Sequence, residues 1–359
     1  MKVSSVIYVV YPQAQQHTAE SLCSELNALG FEAKSATAHP SSNTDAIILE
    51  LRTGGHSNTP GHIYLNDPLK TPLEQVLQNI PFDFEALPLV TEGESKILRR
   101  WTEHLVIEKF KPTVYSFTHN RYGHAEGTEA IRARFSAEVF RRLQQRATEA
   151  DSPQGAFVAL IEDPQHGPLT VQRYVESCNL EIRVKRFHIG SPLHRYRFTE
   201  TVPTTQSCGP LTRWSRFDQP IVCFDWRHPL TDLEGNRLAD EPLPDDYAAV
   251  WVDNVSHAKH VARQMFTWLE DIFATADLIL VDICFFIDRS GRIIFGEISP
   301  DCMRVRARST DLEQAGSFDK DLWRNGLSSS TLKEQYQALY NRLFLTQHDK
   351  ETAVCHNSL

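Results

Sequence analysis

The chain has 359 residues, which is enough for roughly two domains of ordinary size. Its 37 basic and 46 acidic residues give a net charge of −9, whereas nucleic-acid-binding domains usually carry a basic excess. The longest apolar run, Leu278 to Ile287, is half the ~20 residues of a membrane helix and contains Asp282. Seven cysteines without a CxxC pair predict reduced thiols, no disulfide framework and no structural zinc. We therefore expect a cytoplasmic globular protein that binds neither nucleic acid nor membrane.

The first 64 residues predict a compressed α/β unit, because strand-like and helix-like patterns alternate in them. Apolar residues recur at helical spacing from Ala19 to Leu29 and end at Gly30, a residue type typical of the position after a helix. The strand candidates around this helix are Val6 to Tyr11, Phe31 to Thr37 and Ala46 to Leu51. A strand, a helix and a strand within about 35 residues indicate a βαβ crossover.

The rest of the chain predicts strands and hairpins with a few helices between them. Residues 65–90 are rich in proline and predict a connection, and residues 198–248 predict long loops. The apolar run Leu278 to Ile287, the turn DRSG and the run RIIFG predict a β-hairpin. The helix candidates are Leu73 to Asn79, Thr128 to Ala147, His257 to Ala274 and Ser330 to Leu345.

Four segments resemble motifs of SAICAR synthetase, the purine-pathway ligase that joins aspartate to carboxyaminoimidazole ribonucleotide (CAIR) with ATP and magnesium. They are TEGESK (91–96), AEGTEAIRARFSAEVF (125–140), NLEIRVKRFHIGS (179–191) and LVDICFFIDRSGRIIFGEISPDCMR (280–304). The last contains E-I-S-P-D-x-x-R, which the family also has. One fragment alone would be a weak indication, but the order and spacing hold over residues 91–344.

This resemblance implies an α+β fold with the two lobes of SAICAR synthetase, which is related to the ATP-grasp fold. We predict a small α/β cap at 1–85 and an N-terminal lobe at 86–155 that carries the former phosphate loop. A C-terminal lobe at 156–359 would hold the substrate pocket.

The segment 1–64 has a fainter resemblance to AIR carboxylase, carried by VIYVVYPQ, SATAHP and TGGHSNTPG. His39 matches a catalytic position of that family, whereas Pro40 stands for its arginine and Asn58 for its loop histidine. The segment is under half the usual length. It is interpreted either as a truncated carboxylase fold without that chemistry or as a plain α/β cap.

The resemblance implies that most of the substrate-binding half is retained. Arg304 matches the arginine that binds the ribonucleotide 5′-phosphate, and Gly190 and Ser191 match the pair that contacts the same phosphate. Lys185 stands where the family has arginine, which keeps the charge but loses the planar fork. The other predicted substrate-binding residues are Arg134, Ser136 and Ser299.

Three acidic residues are the predicted catalytic groups. Glu181 matches the glutamate that contacts the aminoimidazole, and Asp282 and Asp301 match two aspartates that line the substrate pocket. Cys284, next but one to Asp282, is interpreted as a small apolar filler in preference to a nucleophilic thiol.

The nucleotide-binding half departs from the family pattern. Glu94 replaces the first lysine of the phosphate loop, and Phe286 and Gly296 replace two carboxylates that serve nucleotide and magnesium. Mg²⁺ needs oxygen ligands, which neither replacement supplies from a side chain. Lys96 and Glu297 are retained and would bind the cofactor only if ATP binds. We therefore predict no cofactor and no bound metal, with ATP and Mg²⁺ required only under an alternative.

Three functions are compatible with this pattern. The first is a repurposed SAICAR-synthetase-like enzyme that acts on an imidazole- or purine-derived ribonucleotide, in biosynthesis of nucleosides of the coformycin and pentostatin type. The second is an ordinary ATP-dependent SAICAR synthetase, and the third is a non-catalytic nucleotide-binding protein. The expected partner is a small-molecule ribonucleotide, and a homo-oligomer is left open.

Overall fold

The computed structural model describes residues 6–38, 47–52, 62–64, 71–116, 121–146, 152–228, 233–235, 238 and 241–345. The chain divides into two compact units. The first unit comprises residues 1–111 and 156–174, and the second comprises residues 112–155 and 175–359.

The strands are β1 (Ile7–Val10), β2 (Ala33–Ala36), β3 (Ile47–Arg52), β4 (His62–Tyr64), β5 (Leu89–Glu92), β6 (Lys96–Arg100), β7 (Leu105–Phe110), β8 (Thr113–Ser116), β9 (Arg121–His124), β10 (Gln154–Gly155), β11 (Phe157–Asp163), β12 (Gly167–Arg173), β13 (Ser177–Phe187), β14 (Arg216–Trp226), β15 (Glu241–Leu243), β16 (Leu278–Asp288), β17 (Ile293–Phe295) and β18 (Met303–Ala307). The α-helices are α1 (Gln16–Ala28), α2 (Pro72–Leu77), α3 (Thr128–Arg146), α4 (Ser191–Arg195), α5 (Asp245–Ala248), α6 (Val255–Thr275), α7 (Asp321–Arg324) and α8 (Ser329–Phe344).

The first unit contains the predicted βαβ crossover. Strand β1 pairs in parallel with β2 and β3, and β3 pairs in parallel with β4, which gives the order β2-β1-β3-β4. Helix α1 connects β1 to β2 and buries its apolar stripe, and Gly30 follows it with a φ of +87°. The α/β character predicted for this segment is confirmed. His39, Pro40 and Asn58 lie outside the described residues, so the carboxylase interpretation stays a prediction.

A single hydrophobic core joins the parallel sheet to an antiparallel sheet of order β11-β12-β7-β6-β5. Ile7 and Leu26 belong to the same buried cluster as Ile107 and Val171. Strands β11 and β12 join this unit because β12 pairs with β7. The division therefore differs from the predicted 1–85, 86–155 and 156–359: the predicted cap shares its core with the antiparallel sheet, and α3 belongs to the second unit.

The second unit is built on a seven-stranded sheet. Its order is β10-β17-β16-β13-β14-β15, and β18 pairs with β16 in addition. Helix α6 packs on β13, β14 and β16 through an apolar stripe that includes Met265 and Leu269. The helix begins where the side chain of Asn254 accepts a hydrogen bond from the backbone N–H of His257 at 2.9 Å. The predicted hairpin is confirmed as β16 and β17, and the α+β class is confirmed for the chain.

The prediction of long loops over residues 198–248 is wrong in its central part. The eleven-residue strand β14 lies there and pairs with β13. Phe217 and Pro220 are buried, but two exposed polar residues separate them. Ile221 is exposed and Asp225 is buried, so the sequence lacks the apolar–polar alternation typical of a strand. The strand forms because β13 supplies a long partner, which no local pattern reveals.

The six cysteines that the structure describes are all free, as predicted; Cys355 lies outside the described residues. Among the described helices, none is long and apolar enough to cross a membrane.

Candidate functional site

The polar face of the second unit's sheet carries the predicted site. Successive side chains of a strand point to opposite faces, so residues two apart share one face. Glu181, Arg183 and Lys185 of β13 therefore point together, away from the face on which α6 packs. Across the sheet Lys185 pairs with Asp282 of β16, which in turn pairs with Arg304 of β18. This register brings together residues that are distant in the sequence.

Asp282 lies at the centre of a buried ion cluster. Its Oδ2 atom accepts hydrogen bonds from Lys185 Nζ at 2.5 Å and from Arg304 Nη1 at 2.6 Å. Arg304 also contacts Asp321, with Nε 3.1 Å from Oδ2. Burial alone would raise the pKa of Asp282, but the two cations lower it to about 2. Asp282 is therefore a fixed anion at neutral pH, better suited to orient a ligand than to take up a proton.

Gly190 lies directly against the Arg304 guanidinium. A Cβ atom at this position would come within 3.1 Å of Arg304 Nη1 and Nη2, and the backbone has a φ of +76°. The φ favours glycine, because other residues are strained there, and a Cβ atom would in addition shift the guanidinium by a few tenths of an ångström. The structure thus brings Gly190, Ser191 and Arg304 together, as the resemblance implies. The binding of a phosphate group there stays a prediction.

Glu181 lies between two arginines that sequence reasoning missed. Its carboxylate accepts from Arg227 Nη1 at 2.5 Å and lies 3.5 Å from Arg183 Nη2. Burial would raise the pKa of Glu181, but these cations hold it below its usual value. Arg183 also donates to Ser191 Oγ at 3.1 Å and forms an ion pair of 2.5 Å with the fully buried Asp225. The sequence did hold a signal for Arg183: it lies two residues from both Glu181 and Lys185, and residues two apart on a strand share one face.

Asp301 belongs to a second cluster, at the start of the segment that leads into β18. It accepts hydrogen bonds from Lys320 Nζ at 2.7 Å and from Tyr336 Oη at 3.0 Å. Burial would raise its pKa, but Lys320 and Arg132 lower it to about 2. Asp301 is thus a fixed anion as well.

Glu297 forms a buried two-pronged ion pair with Arg132, a residue that sequence reasoning also missed. Arg132 Nε and Nη2 donate to the two carboxylate oxygens at 2.7 and 2.8 Å, and Ser299 Oγ donates to the same carboxylate. Ser136 Oγ hydrogen-bonds both the N–H and the carbonyl oxygen of Ile298. Glu297, Ser299 and Ser136 therefore anchor this segment to α3. Arg134 is half-buried on the same helix.

The two positions at which the family has carboxylates do not fit a magnesium ion. Phe286 stacks on Phe295 with ring centroids 5.5 Å apart, and the Arg227 guanidinium lies 5.5 Å from the Phe286 centroid. Gly296 has no side chain, and both oxygens of Glu297 are hydrogen-bonded by Arg132. Within the described residues, no three His, Cys, Asp or Glu side chains form a group that could hold a metal ion.

The former phosphate loop lies in the first unit, at the turn between β5 and β6. Glu94 is in the turn, and the backbone N–H of Gly93 donates to the carbonyl oxygen of Lys96 at 2.9 Å. Lys96 Nζ lies 5.3 Å from the centroid of the Phe110 ring. Thr128 stands where the SAICAR synthetase motif at 125–140 has a lysine. Its Oγ1 atom donates to the carbonyl oxygen of Ala125 at the start of α3.

The family model for SAICAR synthetase matches residues 89–343. The chain belongs to the SAICAR synthetase family. It is 25% identical to the phosphoribosylaminoimidazole-succinocarboxamide synthase of Campylobacter curvus over 71% of this chain and 97% of that protein. The synthase of Synechocystis is 27% identical over 74% of this chain and 92% of that protein. The family assignment made from the four motifs is confirmed.

A relative with a different description is the bifunctional cordycepin biosynthesis cluster protein 3 of Cordyceps militaris. It is 28% identical over 67% of this chain, and the match spans only 31% of that longer protein. Solved SAICAR synthetases share the fold. One in complex with ADP has a TM-score of 0.56 at 22% identity, over 72% of this chain and 97% of that one. The Saccharomyces cerevisiae enzyme, complexed with SAICAR, has a TM-score of 0.56 at 17% identity, over 74% and 98%.

Proposed function

We propose that the chain is a repurposed SAICAR-synthetase-like enzyme that binds an imidazole- or purine-derived ribonucleotide and does not use the family's ATP and magnesium chemistry. The observation that carries this proposal is the contrast within β16. Asp282 keeps its cation partners, whereas Phe286 presents a stacked phenyl ring where the family has a carboxylate.

Arg304, Gly190 and Ser191 would hold the 5′-phosphate, because a guanidinium beside an open backbone turn can donate parallel hydrogen bonds to a phosphate. Glu181 would accept a hydrogen bond from the base. It is also the best candidate for proton transfer, since its partner Arg227 is 38% exposed and can be displaced by a substrate. Asp282 and Asp301, each held by cations, would orient the substrate and keep the pocket fixed.

The similarity to a cordycepin biosynthesis cluster protein favours a role in specialised nucleoside biosynthesis, of the kind that makes coformycin or pentostatin. The proposed reaction relies on binding, orientation and acid–base work by the chain's own residues. An ordinary ATP-dependent SAICAR synthetase is the second candidate. It is favoured by the near-complete coverage of the curated synthases.

Calorimetric titrations with CAIR and, separately, with ATP·Mg²⁺ test the proposal. We expect saturable binding of CAIR, and no saturable binding of ATP·Mg²⁺ at millimolar concentration. Micromolar, magnesium-dependent ATP affinity would support the ordinary synthetase instead. Failure to bind both CAIR and inosine 5′-monophosphate would remove the ribonucleotide assignment altogether.

A further inference from the structure

Strand β13 presents two cations on the polar face of the sheet, and they differ in what they can offer a ligand. Lys185 is 4% exposed, and its Nζ atom donates to Asp282 and to the carbonyl oxygen of Ile189 at 3.3 Å. An ammonium group is a point charge and has no planar fork of N–H donors. Lys185 therefore cannot reproduce the two-pronged contact of the arginine that the family has at this position.

Arg183 lies two residues earlier on the same face and has the missing guanidinium. Its Nη1 atom is 3.1 Å from Ser191 Oγ, while the Arg304 guanidinium lies against Gly190. Two guanidinium groups thus flank two consecutive residues of one turn. The Arg183 side chain keeps 18% of its surface exposed, so it is more accessible than Lys185.

We propose that Arg183 is a phosphate-binding residue, which contacts the substrate's phosphate at the Gly190–Ser191 turn together with Arg304. This inference rests on the proposed function, in which that turn holds a ribonucleotide phosphate. Two planar guanidinium groups match a doubly charged phosphate, whereas a free nucleoside offers them no phosphate to bind. Asp225 is then a positioning residue, since it holds the Arg183 guanidinium from the buried side.

A purely structural role would be different in kind. If Arg183 served only to neutralise Asp225, its loss would loosen the sheet and weaken every ligand of the pocket to a similar extent. The preference for a nucleotide over its nucleoside separates the two roles, because only a direct phosphate contact changes that ratio.

The experiment compares inosine 5′-monophosphate with inosine, by calorimetric titration of the full chain. The variants are Arg183→Lys, Arg304→Ala, Asp225→Asn and the double variant Arg183→Met/Asp225→Asn, which avoids leaving a buried carboxylate without a cation. We expect the double variant to lose ~10- to 150-fold in affinity for the monophosphate, the range for a lost charge-assisted hydrogen bond, with inosine nearly unchanged. Arg183→Lys should lose less, and Asp225→Asn should retain most of the preference.

An equal loss for monophosphate and inosine in the double variant would overturn the role of Arg183. So would a monophosphate affinity that falls in Arg304→Ala but not in the double variant. If the unaltered chain binds neither the monophosphate nor CAIR, the proposed function fails first and this inference fails with it. Melting temperatures of all variants identify any that do not fold.

Discussion

Two positions on strand β16 show how one sheet face can keep one half of a ligand site and lose the other. In the middle of the strand, Asp282 accepts hydrogen bonds from Lys185 and Arg304 on the neighbouring strands. Four residues further along the same face, Phe286 stacks on Phe295. Around Asp282, ionised groups lie beside the Gly190–Ser191 turn, and the cations among them can bind an anion. Around Phe286 the surface is aromatic and supplies no side-chain oxygen that could bind a hard cation such as Mg²⁺.

The difference extends to the residues that follow β17. A freely moving Glu297 could in principle replace a lost magnesium ligand by swinging into the vacated position. In the structure it is buried and bound at both oxygens by Arg132. Moving Glu297 away would break a buried two-pronged ion pair, which is costly. The retained acid of the nucleotide-binding half therefore has a structural role here.

The largest effect is expected from breaking the pair of Arg132 and Glu297. Arg132→Met should lower the free energy of unfolding by ~3–5 kcal/mol, because it removes the cation from a buried two-pronged ion pair. The double variant Arg132→Met/Glu297→Gln should recover a large part of this loss. Denaturant unfolding measures both variants. Arg289→Met, which removes two exposed ion pairs, is the matched control and should change the free energy of unfolding far less. A cost for Arg132→Met no larger than the control would mean that Glu297 is free to bind something else.

The role of the ion cluster around Asp282 is tested by Arg304→Ala. CAIR binding should weaken by ~1.5–3 kcal/mol, since a charge-assisted hydrogen bond to the phosphate is lost. Arg308→Ala removes a largely exposed arginine just beyond β18 and should leave the affinity unchanged. Calorimetric titration gives both affinities. Equal affinities in the two variants would contradict the assignment of Arg304 to the substrate phosphate.

The ion pairs of Asp282 predict that the free energy of unfolding depends on pH in the acid range. The pKa of Asp282 is about 2 in the folded chain and ~3.9 in an unfolded one. Its contribution, on the order of 2 kcal/mol, is therefore fully present above about pH 4 and is lost as the pH falls towards 2. Denaturant unfolding between those values should show a shallower pH dependence in Asp282→Asn than in the unaltered chain. Parallel curves would show that Asp282 is not held by its cations.

The smallest effect is expected at Phe286. Phe286→Leu should cost ~1 kcal/mol of stability through the lost contact with Phe295. It should not create affinity for ATP·Mg²⁺, because leucine supplies no oxygen either. If magnesium-dependent ATP binding appears in this variant, the phenyl ring alone was blocking a site that is otherwise complete.

Local patterns were sufficient for the elements with strong periodicity. The apolar stripe of α6 and the hairpin of β16 and β17 could be predicted because their buried residues repeat at helical and strand spacing. Strand β14 could not be predicted, because an exposed Ile221 and a buried Asp225 break its alternation and its partner β13 is distant in the sequence.

The site divides in the same way. The convergence of Gly190 and Arg304 was implied by the family resemblance, which carries information about three-dimensional neighbours. Arg183, Asp225 and Arg132 were missed because each one matters through a partner that is distant in the sequence, on a neighbouring strand or in the segment after β17. A chain of 359 residues offers many arginines and acids, and only the register of the sheet shows which of them meet.

We predict that the phosphoryl-transfer chemistry of SAICAR synthetase is absent from this chain. Incubation with CAIR, aspartate and ATP·Mg²⁺, followed by measurement of ADP, tests it most directly, with the Campylobacter curvus synthase as a positive control. We predict no ADP formation above the rate without enzyme, although CAIR binds. ADP release that depends on both CAIR and aspartate would contradict this account and identify the chain as a working ligase.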